Sequence, residues 1–166
     1  MELQPSLAGK HKVTVISQDY EEFIVVLNEF QVRYLIVGAH ALAVHVRPRA
    51  TNDLDVLVQP TIENATRVAA AVDNFVGVKT EYTVSDFCTP YSVVQIGVEP
   101  VRIDVLTQLT GAEDFEELWR NRVDANFGAT LAHFIGIDGL ILTKKACGRP
   151  IDLIDVDLLL KRKAQT

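Results

Sequence analysis

Between Tyr34 and Val58 the sequence changes its pattern several times within a short distance, and those changes leave few folds open. The apolar, β-prone run Arg33–Val37 stops at Gly38 and reads as a buried strand. Ala39–Val46 is rich in small and apolar residues and reads as a helix that starts directly after the glycine. Pro48 breaks this helix, Asn52–Val58 alternates as the next strand, and Pro60 ends it. A strand, a tight glycine turn, one short helix and a second strand place two strand ends close together with a helix start beside them.

The remaining sequence continues the interleaving. Asp19–Glu22 opens a helix in which Phe23, Val26, Leu27 and Phe30 form one stripe, and Thr61 caps a helix that runs on through ATRVAAAVDNFV. Tyr91–Val98 and Val101–Leu106 are strand candidates joined by a turn at Glu99-Pro100. A short helix over Asp114–Asn121 and a strand over Val123–Phe127 follow, and helices near Asp138–Ala146 and Ile151–Arg162 close the chain. Because one strand pair is a hairpin, the pattern predicts an α+β fold of α/β type: a mixed β-sheet flanked by helices, with C-terminal helices over about 136–166. Residues 1–17 read as a lead-in with a short strand at Val13–Ile16, and 18–166 as a single domain. A chain of 166 residues needs no disulfide or structural metal to fold.

Charge and targeting signals narrow the function classes. Sixteen Lys plus Arg against 22 Asp plus Glu give a formal charge of -6, which argues against a broad nucleic-acid or anionic-membrane footprint. Cys88 and Cys147 lie in no CxxC frame and suit a reduced cytoplasm. The start MELQPSLAGKHKV lacks the apolar core of a signal peptide. The longest uncharged apolar stretch, Tyr34–Val46, is shorter than the roughly 20 residues a bilayer demands. A soluble, cytoplasmic protein with no membrane partner is the expectation.

The chemistry concentrates on three acids. On a strand, Asp53 and Asp55 share one face roughly 7 Å apart while Leu54 and Val56 enter the core. Asp104 lies in a second strand, Arg102–Leu106, whose Ile103 and Val105 want the opposite face. If the strands are neighbours, three carboxylates crowd one patch, which raises at least one pKa and costs stability without a cation. A hard divalent ion resolves the conflict, and so does Arg102, which shares the Asp104 face. The Gly38-Ala39 step exposes backbone N–H groups at a helix start, where phosphates bind, although a glycine there also serves a simple turn. His40 and His45 are five apart, unsuited to two ligands on one helical face, and read as structural; Trp119 reads as packing of its short helix.

The order Gly38, Asp53-x-Asp55 and a later Asp104 resembles the signature of the nucleotidyltransferase superfamily. The run Pro48-Arg49-Ala50-Thr51-Asn52-Asp53-Leu54-Asp55 and the late run Lys145-Ala-Cys-Gly148-Arg149-Pro150-Ile151-Asp152-Leu153-Ile154-Asp155 are similar to a bacterial group of minimal and abortive-infection toxin-like nucleotidyltransferases. The likeness extends over about residues 20–160. Where the signature has a second Gly or Ser, this chain has Ala39, which offers only its backbone N–H.

The resemblance implies a nucleotidyltransferase-like fold and transfer of a nucleoside monophosphate from an NTP, such as ATP, to an acceptor hydroxyl, with release of pyrophosphate. It implies Mg²⁺, with Mn²⁺ as the alternative, held by Asp53, Asp55 and Asp104 as metal and catalytic residues. Gly38, Ala39, Arg49 and one of Lys144 or Lys145 would bind the nucleotide phosphates. Arg149 and Asp152 would pair and fix the last helix. The acceptor is open between tRNA, a protein side chain and a small hydroxylated compound, and a toxin-antitoxin setting, a protein partner or a homo-oligomer is compatible with the group. A catalytically degenerate member that binds a nucleotide or partner is the alternative.

Overall fold

The computed structural model describes residues 17–166, so the expected strand at Val13–Ile16 lies outside the described residues. Helix α1 (Gln18–Glu29) leads into β1 (Tyr34–Val37), α2 (Gly38–His45) and β2 (Asp53–Val58). Helix α3 (Ile62–Val76) and a 3₁₀ turn at Val84–Phe87 precede the hairpin of β3 (Val93–Ile96) and β4 (Arg102–Leu106). Helix α4 (Phe115–Arg120), the hairpin of β5 (Val123–Phe127) and β6 (Thr130–Phe134), and helices α5 (Ile137–Cys147) and α6 (Pro150–Ala164) complete the chain.

The six strands form one mixed sheet in the order β3-β4-β2-β1-β6-β5. The β4/β2 and β1/β6 pairs are parallel, and the other three are antiparallel. The expected α+β architecture is therefore the observed one. Two elements are additions to the expectation: β6, inserted beside β1, and the 3₁₀ turn. In β6 only Ala132 and Phe134 are buried while Leu131 is exposed, so its apolar alternation is faint in sequence.

Every residue of β1 is buried, which explains its uninterrupted apolar run: the central strand is covered on both faces. Helices α1 and α3 pack together, with Phe23 and Phe75 edge to face at 5.1 Å, and lie over β6 and β2 respectively. Helix α2 sits on β1 and β2 and is backed by α5 and α6. The Thr61 hydroxyl caps α3 by accepting from the Asn64 amide at 3.2 Å. The fully buried Asn64 side chain then accepts from Arg33 N and donates to the carbonyls of Arg33 and Gln59, at 2.8, 3.0 and 3.0 Å. This one amide ties the start of β1 to the end of β2 and holds the two strands that deliver Gly38 and the acids. No helix among the described residues is long and apolar enough to cross a membrane.

Candidate active site

Strand pairing assembles the acidic cluster. In the parallel β2/β4 ladder Asp55 lies opposite Asp104 and Asp53 opposite Arg102, while the antiparallel β1/β2 ladder sets Val37 opposite Asp55. The chain therefore leaves β1 at Gly38 immediately beside Asp55. Leu54, Val56, Ile103 and Val105 are buried on the alternate positions. One carboxylate oxygen from each of Asp53, Asp55 and Asp104 lies within 4.8 Å of the others.

Each acid has a different set of partners. Asp53 accepts from the Thr51 hydroxyl at 2.7 Å on one oxygen and from Arg102 Nη2 at 2.9 Å on the other. Asp104 is gripped by one edge of the Arg102 guanidinium, Nε at 3.0 Å and Nη2 at 3.2 Å. Asp55 takes no hydrogen bond or ion pair among the described residues. Burial pushes its pKa up to about 7, and the neighbouring Asp53 and Asp104 charges add to the rise against a partial offset from Arg102 and Lys144. Of the two neutralising groups that the sequence offers, Arg102 is thus in place, and it serves two of the three acids.

Gly38 has φ +67°, and a Cβ built there would run into the Asp55 carboxylate. The position requires glycine for both its left-handed backbone and its space. Gly38→Ala should lower stability by about 1–3 kcal/mol and push Asp55 out of the cluster, which thermal melts would read as a fall in Tm. Helix α2, which begins at Gly38, has no side-chain cap, so its first-turn N–H groups, Ala39 included, remain available to an anion.

A cavity of about 190 Å³ opens from this point, lined among others by Gly38, Asp55, Leu109, Lys144, Cys147 and Arg149. Lys144, almost fully buried, sends Nζ to Asp155 at 2.8 Å and stands 3.8 Å from Asp152. Arg49 Nη1 donates to the same Asp155 oxygen at 2.6 Å. Arg149 holds Asp152 through Nε at 2.7 Å and Nη2 at 3.1 Å, the pairing expected from sequence. Lys145, by contrast, is exposed and forms no ion pair among the described residues. Of the two lysines, Lys144 is the one that borders the cavity with Asp55. A larger depression of about 580 Å³ against α1 is lined by Glu21, Glu22 and Glu29 and, among the described residues, by no basic group.

The two α2 histidines are not a ligand pair. His45 Nε2 donates to the Ile135 carbonyl at 2.7 Å. His40 stands edge-on to Tyr20 and Phe127, its Nε2 is buried without a hydrogen-bond partner among the described residues, and burial lowers its pKa. Trp119 stacks on Phe115, meets His133 of β6 edge-on at 5.1 Å and carries the guanidinium groups of Arg122 and Arg33 over its ring at 4.0 and 4.7 Å, so it packs α4 against the sheet. Thr51, which buttresses Asp53, is a site residue that sequence reasoning did not single out; its signal was a hydroxyl two positions before the first acid.

No protein-family model and no curated protein sequence matches this chain. Solved structures do. The antibiotic-resistance factor ANT(2'')-Ia superposes with a TM-score of 0.59 at 12% identity, covering 86% of this chain and 81% of that one. The lincomycin-bound lincosamide antibiotic adenylyltransferase LnuA gives 0.54 at 12% identity, over 87% of this chain and 96% of its own. An antigenic nucleotidyltransferase-like protein from Paracoccidioides brasiliensis gives 0.55 at 12% identity, over 86% and 75%. At such identities the likeness is one of architecture: this chain has the nucleotidyltransferase fold.

Proposed function

We propose that the chain transfers a nucleoside monophosphate from an NTP to the hydroxyl of a small acceptor molecule, with Mg²⁺ or Mn²⁺ held at Asp53 and Asp55. The observation that carries this reading is the meeting of three carboxylates, an uncapped helix start and a buried lysine at one end of the sheet. The donor set fits a hard divalent ion, since it is all oxygen and Asp55, with a raised pKa, has no partner among the described residues. Held by Asp53 and Asp55, such an ion would supply positive charge against the triphosphate and the leaving pyrophosphate.

The chain's own groups do the rest. The α2 amides and Lys144 hold the triphosphate, and Gly38 lets it approach the backbone closely. Asp104 accepts the proton of the acceptor hydroxyl as the new oxygen–phosphorus bond forms at the α-phosphate. The bond from the α-phosphorus to the bridging oxygen breaks, and pyrophosphate departs. ATP is the favoured donor because LnuA is named an adenylyltransferase and a second structure of ANT(2'')-Ia holds adenylyl-2''-tobramycin. A small hydroxylated acceptor fits the net charge of -6 better than a polyanion such as tRNA, and the neighbours' bound lincomycin and adenylyl-tobramycin point the same way. The two free thiols suit the reducing cytoplasm.

The test is pyrophosphate release from each NTP with Mg²⁺ against pools of hydroxylated compounds. Acceptor-dependent release is expected, falling by about three orders of magnitude in Asp53→Ala. Equal release by that variant refutes the reading. Ala39 and the hold of Arg102 on Asp104 favour one second reading, a nucleotide-binding member without turnover, which would bind Mg·NTP yet release no pyrophosphate with any acceptor.

A further inference from the structure

Arg102 has a position that the transfer chemistry above does not use. The β2/β4 register sets it opposite Asp53, and strand alternation puts it on the Asp104 face two residues away. Its guanidinium closes on both Asp104 oxygens and on one of Asp53, at 3.0, 3.2 and 2.9 Å, while Nη1 stands 3.7 Å from Glu99. The other Asp53 oxygen is taken by Thr51. Only Asp55 is left without a partner among the described residues, facing the cavity that Lys144 also lines.

We infer that Arg102 is the fixed second cation of this acidic cluster, so that the chain takes up a single divalent ion, at Asp53 and Asp55, with Asp104 held by the arginine. The inference rests on the metal-dependent reading proposed above. The charge balance supports it: three carboxylates and one guanidinium leave a deficit of two, which one divalent ion cancels. A second divalent ion would have to displace three charge-assisted hydrogen bonds from a partly buried, planar fork matched to carboxylate geometry. A guanidinium also keeps its charge at every working pH, so the arrangement does not relax by deprotonation. Arg102 acts here through Asp104 and is a positioning residue.

The experiment is titration of the intact chain with Mn²⁺ alone, followed by the electron paramagnetic resonance of the free ion, for wild type, Arg102→Met, Arg102→Lys and Asp55→Asn. Wild type should bind one Mn²⁺ per chain. Arg102→Met should bind a second, or bind the first at least tenfold more tightly. Arg102→Lys keeps the charge without the fork; it guards against a folding failure of the methionine variant and should stay at one ion. Two ions on wild type, or superimposable isotherms for wild type and Arg102→Met, overturn the inference and leave the metal reading standing. Binding to Asp55→Asn equal to wild type, or none to any protein, removes the metal reading and the inference with it.

Discussion

Asp55→Asn should make the metal-free protein more stable at pH 8 while lowering transfer activity by about three orders of magnitude. The first half follows from proton linkage. The folded-state pKa of Asp55, about 7, stands above its ordinary value of 3.8, so between those values the folded chain binds more protons at this group than the unfolded chain. Stability from this group is therefore fully present below about pH 4, declines as pH rises, and is lost above about pH 7. Asparagine cannot ionise and removes the decline. The gain at pH 8 should be about 2–4 kcal/mol, since each tenfold tightening of proton binding in the folded chain is worth about 1.4 kcal/mol. At pH 4 wild type and variant should unfold together. Urea denaturation at both pH values checks this, and equal stabilities at pH 8 would mean that Asp55 carries no burial strain. Mg²⁺ should then raise the Tm of wild type at pH 8 and leave that of Asp55→Asn unmoved.

Under the proposed reading, a cation bound at Asp55 would remove the cost in stability that this buried carboxylate carries. The cost arises from particular placements: β2 and β4 run side by side, and Gly38 leaves no side chain between the backbone and Asp55. Half of this was legible in the sequence. The alternation of Asp53-Leu54-Asp55-Val56 and of Arg102-Ile103-Asp104-Val105 assigns each side chain to a face without any structure. The stop at Gly38 and the break at Pro48 define the elements around them. Pairing was not legible, because β2 and β4 are separated by α3 and β3 and their adjacency is a property of the whole sheet. The register of Asp55 with Asp104 follows only from that adjacency.

The same limit explains β6. Its Leu131 is exposed and its buried positions are Ala132 and Phe134, too weak an alternation to mark a strand, yet its parallel pairing with β1 completes the sheet. Lys144 and Lys145 differ by a signal that was present. Lys144 stands four residues after Leu140 and three after Ile141, both buried, whereas Lys145 has only Ile141 four residues before it and is exposed. A lysine on the core side of an amphipathic helix, followed by acids at 152 and 155, announces a buried ion pair. What it neutralises besides those acids depends on where α5 docks.

Lys144→Met should weaken binding of Mg·NTP by about 10–100-fold, the equivalent of one charge-assisted hydrogen bond to a phosphate. The side chain is buried, bonded to Asp155 at 2.8 Å, and lines the cavity beside Asp55, so a purely structural role predicts a different pattern. Its removal leaves Asp155 still paired with Arg49 and Asp152 still paired with Arg149, and the stability cost should stay at about 1–3 kcal/mol. Asp155→Asn is the control that separates the roles. It releases Lys144 and Arg49 from their shared carboxylate and should destabilise the fold by a similar amount. If Lys144 serves the triphosphate, freeing its ammonium leaves nucleotide affinity intact or raises it. If Lys144 only anchors α6 to α5, both variants lose stability and affinity in proportion. Calorimetric titration of Mg·ATP, set beside denaturation midpoints for the two variants, reads these outcomes directly. Matching losses of affinity would move Lys144 out of the phosphate site and leave the α2 amides as the triphosphate cradle.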